Sequence, residues 1–287
     1  VLNQREATYN GWEAVRMEIA ISAKAGTGKM NFITDTVYFY HNLNLTKEDK
    51  DIKEDESTKK DDKKTAQKYH GKLAVIIDDC GYDLAPVRKL VNLNAPFSYA
   101  ILPYKDFSSD ALHVIKGGGQ TAMLHLPMEP MDRTAMSEGK ITILTDMTAE
   151  QVQQLTRKAV DSLPGIEGVN NHQGSKATSN EATMKAVLKV LKQQGLFFVD
   201  SSTYSKSIGD QVARSMGVPT ARIFLDNSSD EDDIIAKIWQ AVEMADRNGN
   251  AIAICHARPH TAAAWSKVID EVNASGIQLV PVSSLLK

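Results

Sequence analysis

Leu73-Ala-Val-Ile-Ile-Asp78-Asp79-Cys80-Gly81 is an apolar run that ends in two adjacent carboxylates. Five consecutive apolar residues suit a strand covered on both faces, as in a parallel sheet flanked by helices. Charged side chains are rarely buried unless paired or bound to metal, so this strand should deliver its carboxylates to an opening. Further strands are expected at 97–103, 121–126, 168–172, 197–201, 222–225, 251–256 and 277–282. Four of these also carry an ionisable group near their C-terminal end: His125, His172, Asp200 and His256.

The segments between these runs read as helices. Thr148-Ala-Glu-Gln151 and Thr178-Ser-Asn-Glu181 both match the capping box that opens a helix. Beyond the second, Met184, Val187, Leu188 and Leu191 fall at i, i+3, i+4 and i+7 and form one apolar stripe. Strands alternating with helices predict an α/β fold. One uninterrupted series of this length predicts a distorted (β/α) barrel of about seven or eight parallel strands, closed or nearly so.

The C-terminal strand ends of such a barrel converge on one mouth, where active sites lie. Alone, a strand-end Asp can cap a loop, and a lone His can be a hydrogen-bonded core residue. Asp200, followed by Ser201-Ser202-Thr203, can simply organise a turn. Their recurrence at successive strand ends favours chemistry. Imidazole and carboxylate together suit zinc or a similar divalent ion, which acidifies a water and polarises a carbonyl. A neighbouring carboxylate can then act as base and a remote His as acid. Adjacent strand residues point to opposite faces, so Asp78 and Asp79 share the mouth only if the strand turns there; Gly81 makes a turn cheap.

Ile77-Asp-Asp-Cys-Gly-Tyr82, His125-Leu-Pro-Met-Glu129, the Asn170–Ser175 stretch NNHQGS, Val199-Asp-Ser-Ser202 and His256 resemble motifs of the divergent polysaccharide deacetylases. The resemblance covers residues 72–287. It implies Asp78 as base, Asp79 as metal ligand and His256 as candidate acid. The main branch of that family draws two metal histidines from one H-x-x-x-H motif, where this chain has His125-x-x-x-Glu129. Either Glu129 substitutes as an oxygen ligand or a third ligand arrives from another strand, with His172 preferred. Glu129, Asp200 and Arg258 are expected to contact substrate.

Around the barrel, the 287 residues divide into an N-terminal segment at 1–46, a charged linker at 47–70 and a catalytic barrel at 71–287. The stretch KEDKDIKEDESTKKDDKKTAQK, from Lys47 to Lys68, has too little apolar surface to offset its ordering entropy. The N-terminal segment suggests a helix around 12–21 and a β-prone run at 32–40. Ala25-Gly-Thr-Gly-Lys29 reads as a glycine turn, because Met30 stands where a phosphate-binding loop needs a hydroxyl. A net charge of -3 supplies no basic field for nucleic acid. No apolar run reaches the roughly 18 residues that span a bilayer. Cys80 and Cys255 read as small buried residues.

The expected activity is metal-dependent removal of N-acetyl groups from an amino-sugar polymer or related glycan, with zinc as the favoured ion. The alternatives are a non-catalytic glycan-binding or envelope-associated module and another metal-dependent amidase or esterase. The resemblance implies a periplasmic or extracellular setting.

Overall fold

The computed structural model describes the backbone of residues 3–9, 12–25 and 28–40, and residues 69–222 and 230–287. Two compact units emerge, Val1–Asp62 and Lys63–Lys287. The charged stretch expected as a linker lies, through residue 68, outside the described residues.

The first unit contains an antiparallel sheet of β1 (Asn3–Tyr9), β2 (Trp12–Ala25) and β3 (Gly28–Tyr40), in that order. The helix expected around 12–21 is therefore a strand. The alternation of Val15, Met17, Ile19 and Ile21 with Arg16, Glu18, Ala20 and Ser22 has period two, and β2 pairs on both sides. Ala25 pairs with Gly28 between two antiparallel strands, while Gly26 and Thr27 of the expected glycine turn lie outside the described residues. A phosphate-binding loop would instead join a strand to a helix.

The second unit is the expected α/β fold, opened into a half-barrel. Its strands are β4 (Lys72–Cys80), β5 (Ser98–Ile101), β6 (Thr121–Met128), β7 (Gly168–Gln173), β8 (Phe197–Asp200), β9 (Thr220–Arg222), β10 (Asn250–His256) and the short β11 (Gln278–Leu279). All pairings are parallel, in the order β10-β4-β5-β6-β7-β8-β9, with β11 on β4. The last long strand returns beside the first, as barrel topology requires. No pairing joins β9 to β10 among the described residues, so closure is incomplete. Residues 223–225 of the strand expected at 222–225 lie outside the described residues.

Among the described residues, seven helices flank the sheet: α1 (Leu84–Val91), α2 (Ser108–Gly117), α3 (Ala149–Asp161), α4 (Glu181–Gln194), α5 (Gly209–Ser215), α6 (Glu231–Asn248) and α7 (Pro259–Ala274). The predicted stripe of α4 is buried throughout. Thr148 and Gln151 form the expected capping box of α3, but Asn180 caps α4. Thr178 instead turns its hydroxyl to the Gly174 carbonyl, so the second box does not form.

Strand parity divides the core. Leu73, Val75 and Ile77 pack outward with the helices, whereas Ala74, Ile76, Met123, Val199, Ile252 and Ile254 fill the barrel interior. The expected final strand at 277–282 is reduced to two residues. Pro281 has no N–H to extend the ladder, and a 3-10 turn follows at Val282–Leu285. This tail crosses the N-terminal end of the barrel: Val282 N donates to Ser98 Oγ, and Lys287 exchanges two backbone hydrogen bonds with Thr220. The opposite, C-terminal end is left to the site. Cys80 and Cys255 are buried, as expected.

Candidate metal centre

The end of β4 solves the problem posed by two adjacent carboxylates. Asp78 continues the inward parity of Ala74 and Ile76, and Asp79 by parity would face the helices. The β4–β5 register shifts between Ile77 and Cys80, and Asp79 takes a left-handed conformation with φ 59°. This bulge turns Asp79 towards the mouth as well. Asp tolerates that conformation better than most residues, though it still costs on the order of 1 kcal/mol.

His125 on β6 and both Asn170 and His172 on β7 lie on the inward parity of their strands, beside interior Met123 and opposite outward Leu124 and Val169. His256 ends β10, in register with Asp78. Three donor atoms converge: His172 Nδ1 is 3.1 Å from His125 Nε2 and 3.3 Å from Asp79 Oδ1, and His125 Nε2 is 3.5 Å from Asp79 Oδ1. Donors around a tetrahedral zinc stand roughly 3.3–3.6 Å apart, given bonds of about 2.0–2.2 Å. Asp79 Oδ1 is buried and makes no well-aligned hydrogen bond. An orphaned carboxylate oxygen between two imidazoles fits a cation. Among the described residues, no other group of His, Cys, Asp or Glu gathers in this way.

The surroundings tune these groups. Asp78 is buried, which raises its pKa; His125, His256 and the Asn170 amide oppose the rise without cancelling it. For Asp79, burial is outweighed by the imidazoles of His125 and His172 beside it, which hold its carboxyl far below the usual range. His125 is lifted because Asp78 and Asp79 outweigh its own burial. Asp78 Oδ2 stands 3.7 Å from His125 Nε2, at the edge of the triad.

Three further residues expected at the site, Glu129, Asp200 and Arg258, stand outside this convergence. Glu129 is fully buried, but it accepts from Arg133 Nε (2.5 Å) and Lys176 Nζ (2.8 Å) on one oxygen, and from the Thr145 N–H (2.6 Å) and hydroxyl (2.7 Å) on the other. These four hydrogen bonds fill its acceptor capacity. Asp200 has the parity of outward Phe198 and is likewise occupied, by the Ser202 N–H (2.9 Å), the Ser207 hydroxyl (2.6 Å) and the Asp210 N–H (3.3 Å). These bonds organise the loop after β8. Arg258 sits exposed at the N-cap of α7, two residues beyond His256.

Two participants escaped sequence reasoning. Asn170 links His125 to Asp78, and period two from His172 would have found it. Ser137, whose hydroxyl lies 3.0 Å from His172 Nε2, comes from the irregular loop after β6, where no periodicity marks it. The next residue, Glu138, accepts from the Tyr82 hydroxyl at 2.5 Å and pairs with Lys105, so this loop is fastened beside the mouth.

Comparison with known proteins bears on this arrangement. The profile of the divergent polysaccharide deacetylases matches residues 75–286. The uncharacterized protein YibQ of Escherichia coli is 33% identical over 218 residues, covering 75% of this chain and 67% of YibQ. An uncharacterized protein of Haemophilus influenzae is 32% identical over 216 residues, covering 75% of this chain and 76% of that protein. The crystal structure of the uncharacterized protein ATU2773 from Agrobacterium tumefaciens is similar in fold, with a TM-score of 0.71 at 21% identity, over 76% of this chain and 89% of that one.

Proposed function

Because this chain belongs to the divergent polysaccharide deacetylase family, we propose that it is a metal-dependent hydrolase that removes N-acetyl groups from an amino-sugar polymer or related glycan. The observation that carries this reading is the convergence of Asp79 Oδ1, His125 Nε2 and His172 Nδ1, with a second carboxylate alongside. These three residues would hold a divalent cation, and two imidazoles with one carboxylate favour zinc. When bound, the cation supplies Lewis acidity towards the acetamide carbonyl and acidifies a water.

The remaining steps fall to the chain. Asp78, whose pKa is raised by burial, accepts the proton of the attacking water as that oxygen bonds to the acetyl carbon. His256, across the β4–β10 ladder from Asp78, donates a proton to the amino-sugar nitrogen as the C–N bond breaks, leaving acetate and a free amine. The fastened loop carrying Ser137 and Glu138 restricts the approach to His172. This reading carries a periplasmic or extracellular location, where such polymers lie. Among the described residues, no helix is long and apolar enough to cross a membrane.

The test separates the adjacent carboxylates. Asp78→Asn keeps hydrogen bonding but cannot act as base, so it should retain zinc while acetate release from acetylated amino-sugar oligomers falls about 10²–10⁴-fold. Asp79→Asn should lose zinc and turnover together. Undiminished turnover in Asp78→Asn, or oligomer binding by the wild type with no acetate released, would end the deacetylase reading.

A further inference from the structure

Asn170 bears no charge, yet it stands buried between two of the groups on which the site depends. Its Nδ2 lies 2.8 Å from Asp78 Oδ1 and 3.3 Å from Ser201 Oγ, and its Oδ1 lies 2.8 Å from His125 Nδ1. The roles of these atoms follow from what each group can donate. A carboxylate only accepts, so the amide N–H must face Asp78, and the amide oxygen is left to face His125. An amide oxygen also only accepts, so the proton of a neutral His125 resides on Nδ1. Its Nε2 lone pair is then directed at Asp79 and His172.

We propose that Asn170 is a positioning residue that performs two tasks through one amide. Its oxygen locks His125 in the Nδ1–H tautomer that presents Nε2 to a cation. Its N–H group holds Asp78 Oδ1, which leaves Oδ2 as the oxygen that faces the mouth. The amide is itself held in place: β7 pairs with β6 so that His125 and Asn170 are register partners, and the neighbouring Asn171 accepts from the Ser201 N–H at 2.9 Å, which fixes the β8 loop against β7. Outer partners of this kind typically alter metal affinity or activity by about 10–100-fold when removed. The consequences for turnover rest on the metal-dependent reading above; the tautomer does not.

The tautomer is read by nitrogen-15 NMR of the histidine side chains in the metal-free full chain, at a pH where the imidazoles are neutral. The wild type should show His125 protonated on Nδ1. Protonation on Nε2 would mean that the amide is reversed and would overturn the proposal without any variant. Asn170→Ala removes both tasks, so the tautomer preference should disappear and zinc affinity should fall at least tenfold. Asn170→Asp keeps side-chain size and the acceptor to His125 but replaces the amide donor with a second carboxyl that competes with Asp78 for one proton. It should keep the tautomer and bind zinc within about threefold of wild type, while acetate release falls at least tenfold. Unchanged tautomer and zinc affinity in Asn170→Ala would also overturn the assignment. A locked tautomer and the zinc effect in a protein that releases no acetate would sustain the role of Asn170 while removing the deacetylase reading.

Discussion

Glu129 shows at the scale of one residue how a charge in a core can be structural. Burial would raise its pKa, but hydrogen bonds from Lys176, Arg133 and Thr145 outweigh that and hold it down at about 2, against an ordinary 4.5. A carboxyl whose pKa is depressed on folding contributes stability that is present above its unfolded value and lost as pH falls through its folded value. At about 1.4 kcal/mol per unit the upper bound is roughly 3 kcal/mol; Arg133 and Lys176 are partly exposed, which reduces it. Glu129→Gln should therefore lower the unfolding free energy by about 2 kcal/mol at neutral pH. In denaturant titrations the difference from wild type should vanish as pH falls from about 4.5 to about 2. Zinc affinity should stay within about twofold of wild type; a large loss would identify Glu129 as a ligand. The residue was legible in the sequence as an oddity beside His125, but which donors surround it was not, because Arg133, Thr145 and Lys176 reach it from loops without periodicity.

At the scale of the element, most of the second unit could be read directly. The β4, β6, β7 and β10 ranges differ from expectation by one or two residues, because apolar runs bounded by polar or turn residues leave little freedom. The departures have local causes: a proline without an N–H ends the last strand early, and Asn180 takes the cap of α4 from Thr178. Close packing between neighbouring strands is the feature no pattern reports. A Cβ at Gly168, the first residue of β7, would overlap the ring of Phe197 at the start of β8. Gly168→Ala should thus force the ring aside at a cost of about 1–3 kcal/mol. For a unit of this size the melting temperature should fall by roughly 2–4 °C per kcal/mol. Calorimetry showing no change would mean that Phe197 has a free alternative position. Because β7 carries Asn170 and His172, zinc binding should weaken in the same variant.

For the whole molecule, the second unit starts at Lys63, and its first described residue, Tyr69, already makes contacts within it. The Tyr69 N–H donates to the Ser275 carbonyl at 2.8 Å, and its ring lies 6.5 Å from that of Trp239. A chain starting at Tyr69 retains these contacts. Deleting residues 1–68 should leave a single cooperative unfolding transition within a few degrees of that of the full chain. A broad transition, or an insoluble product, would show that the N-terminal segment contributes to the core of the second unit.

By itself the sequence determined the alternation of strands and helices, the mouth to which the strand ends point, and the residue types gathered there. These follow from hydrophobic periodicity and from the cost of burying unpaired charge, both of which are properties of short segments. Only the tertiary structure decided which ionisable groups meet. Parity relative to the barrel interior turns His125, His172 and His256 inward and Asp200 outward, and parity has no sign until the sheet has curved around one face. The left-handed bulge at Asp79 depends on β5 pairing with β4 out of step, a contact between segments some twenty residues apart. Asn170 acquires its place from three strands at once, and no single stretch of sequence contains that information.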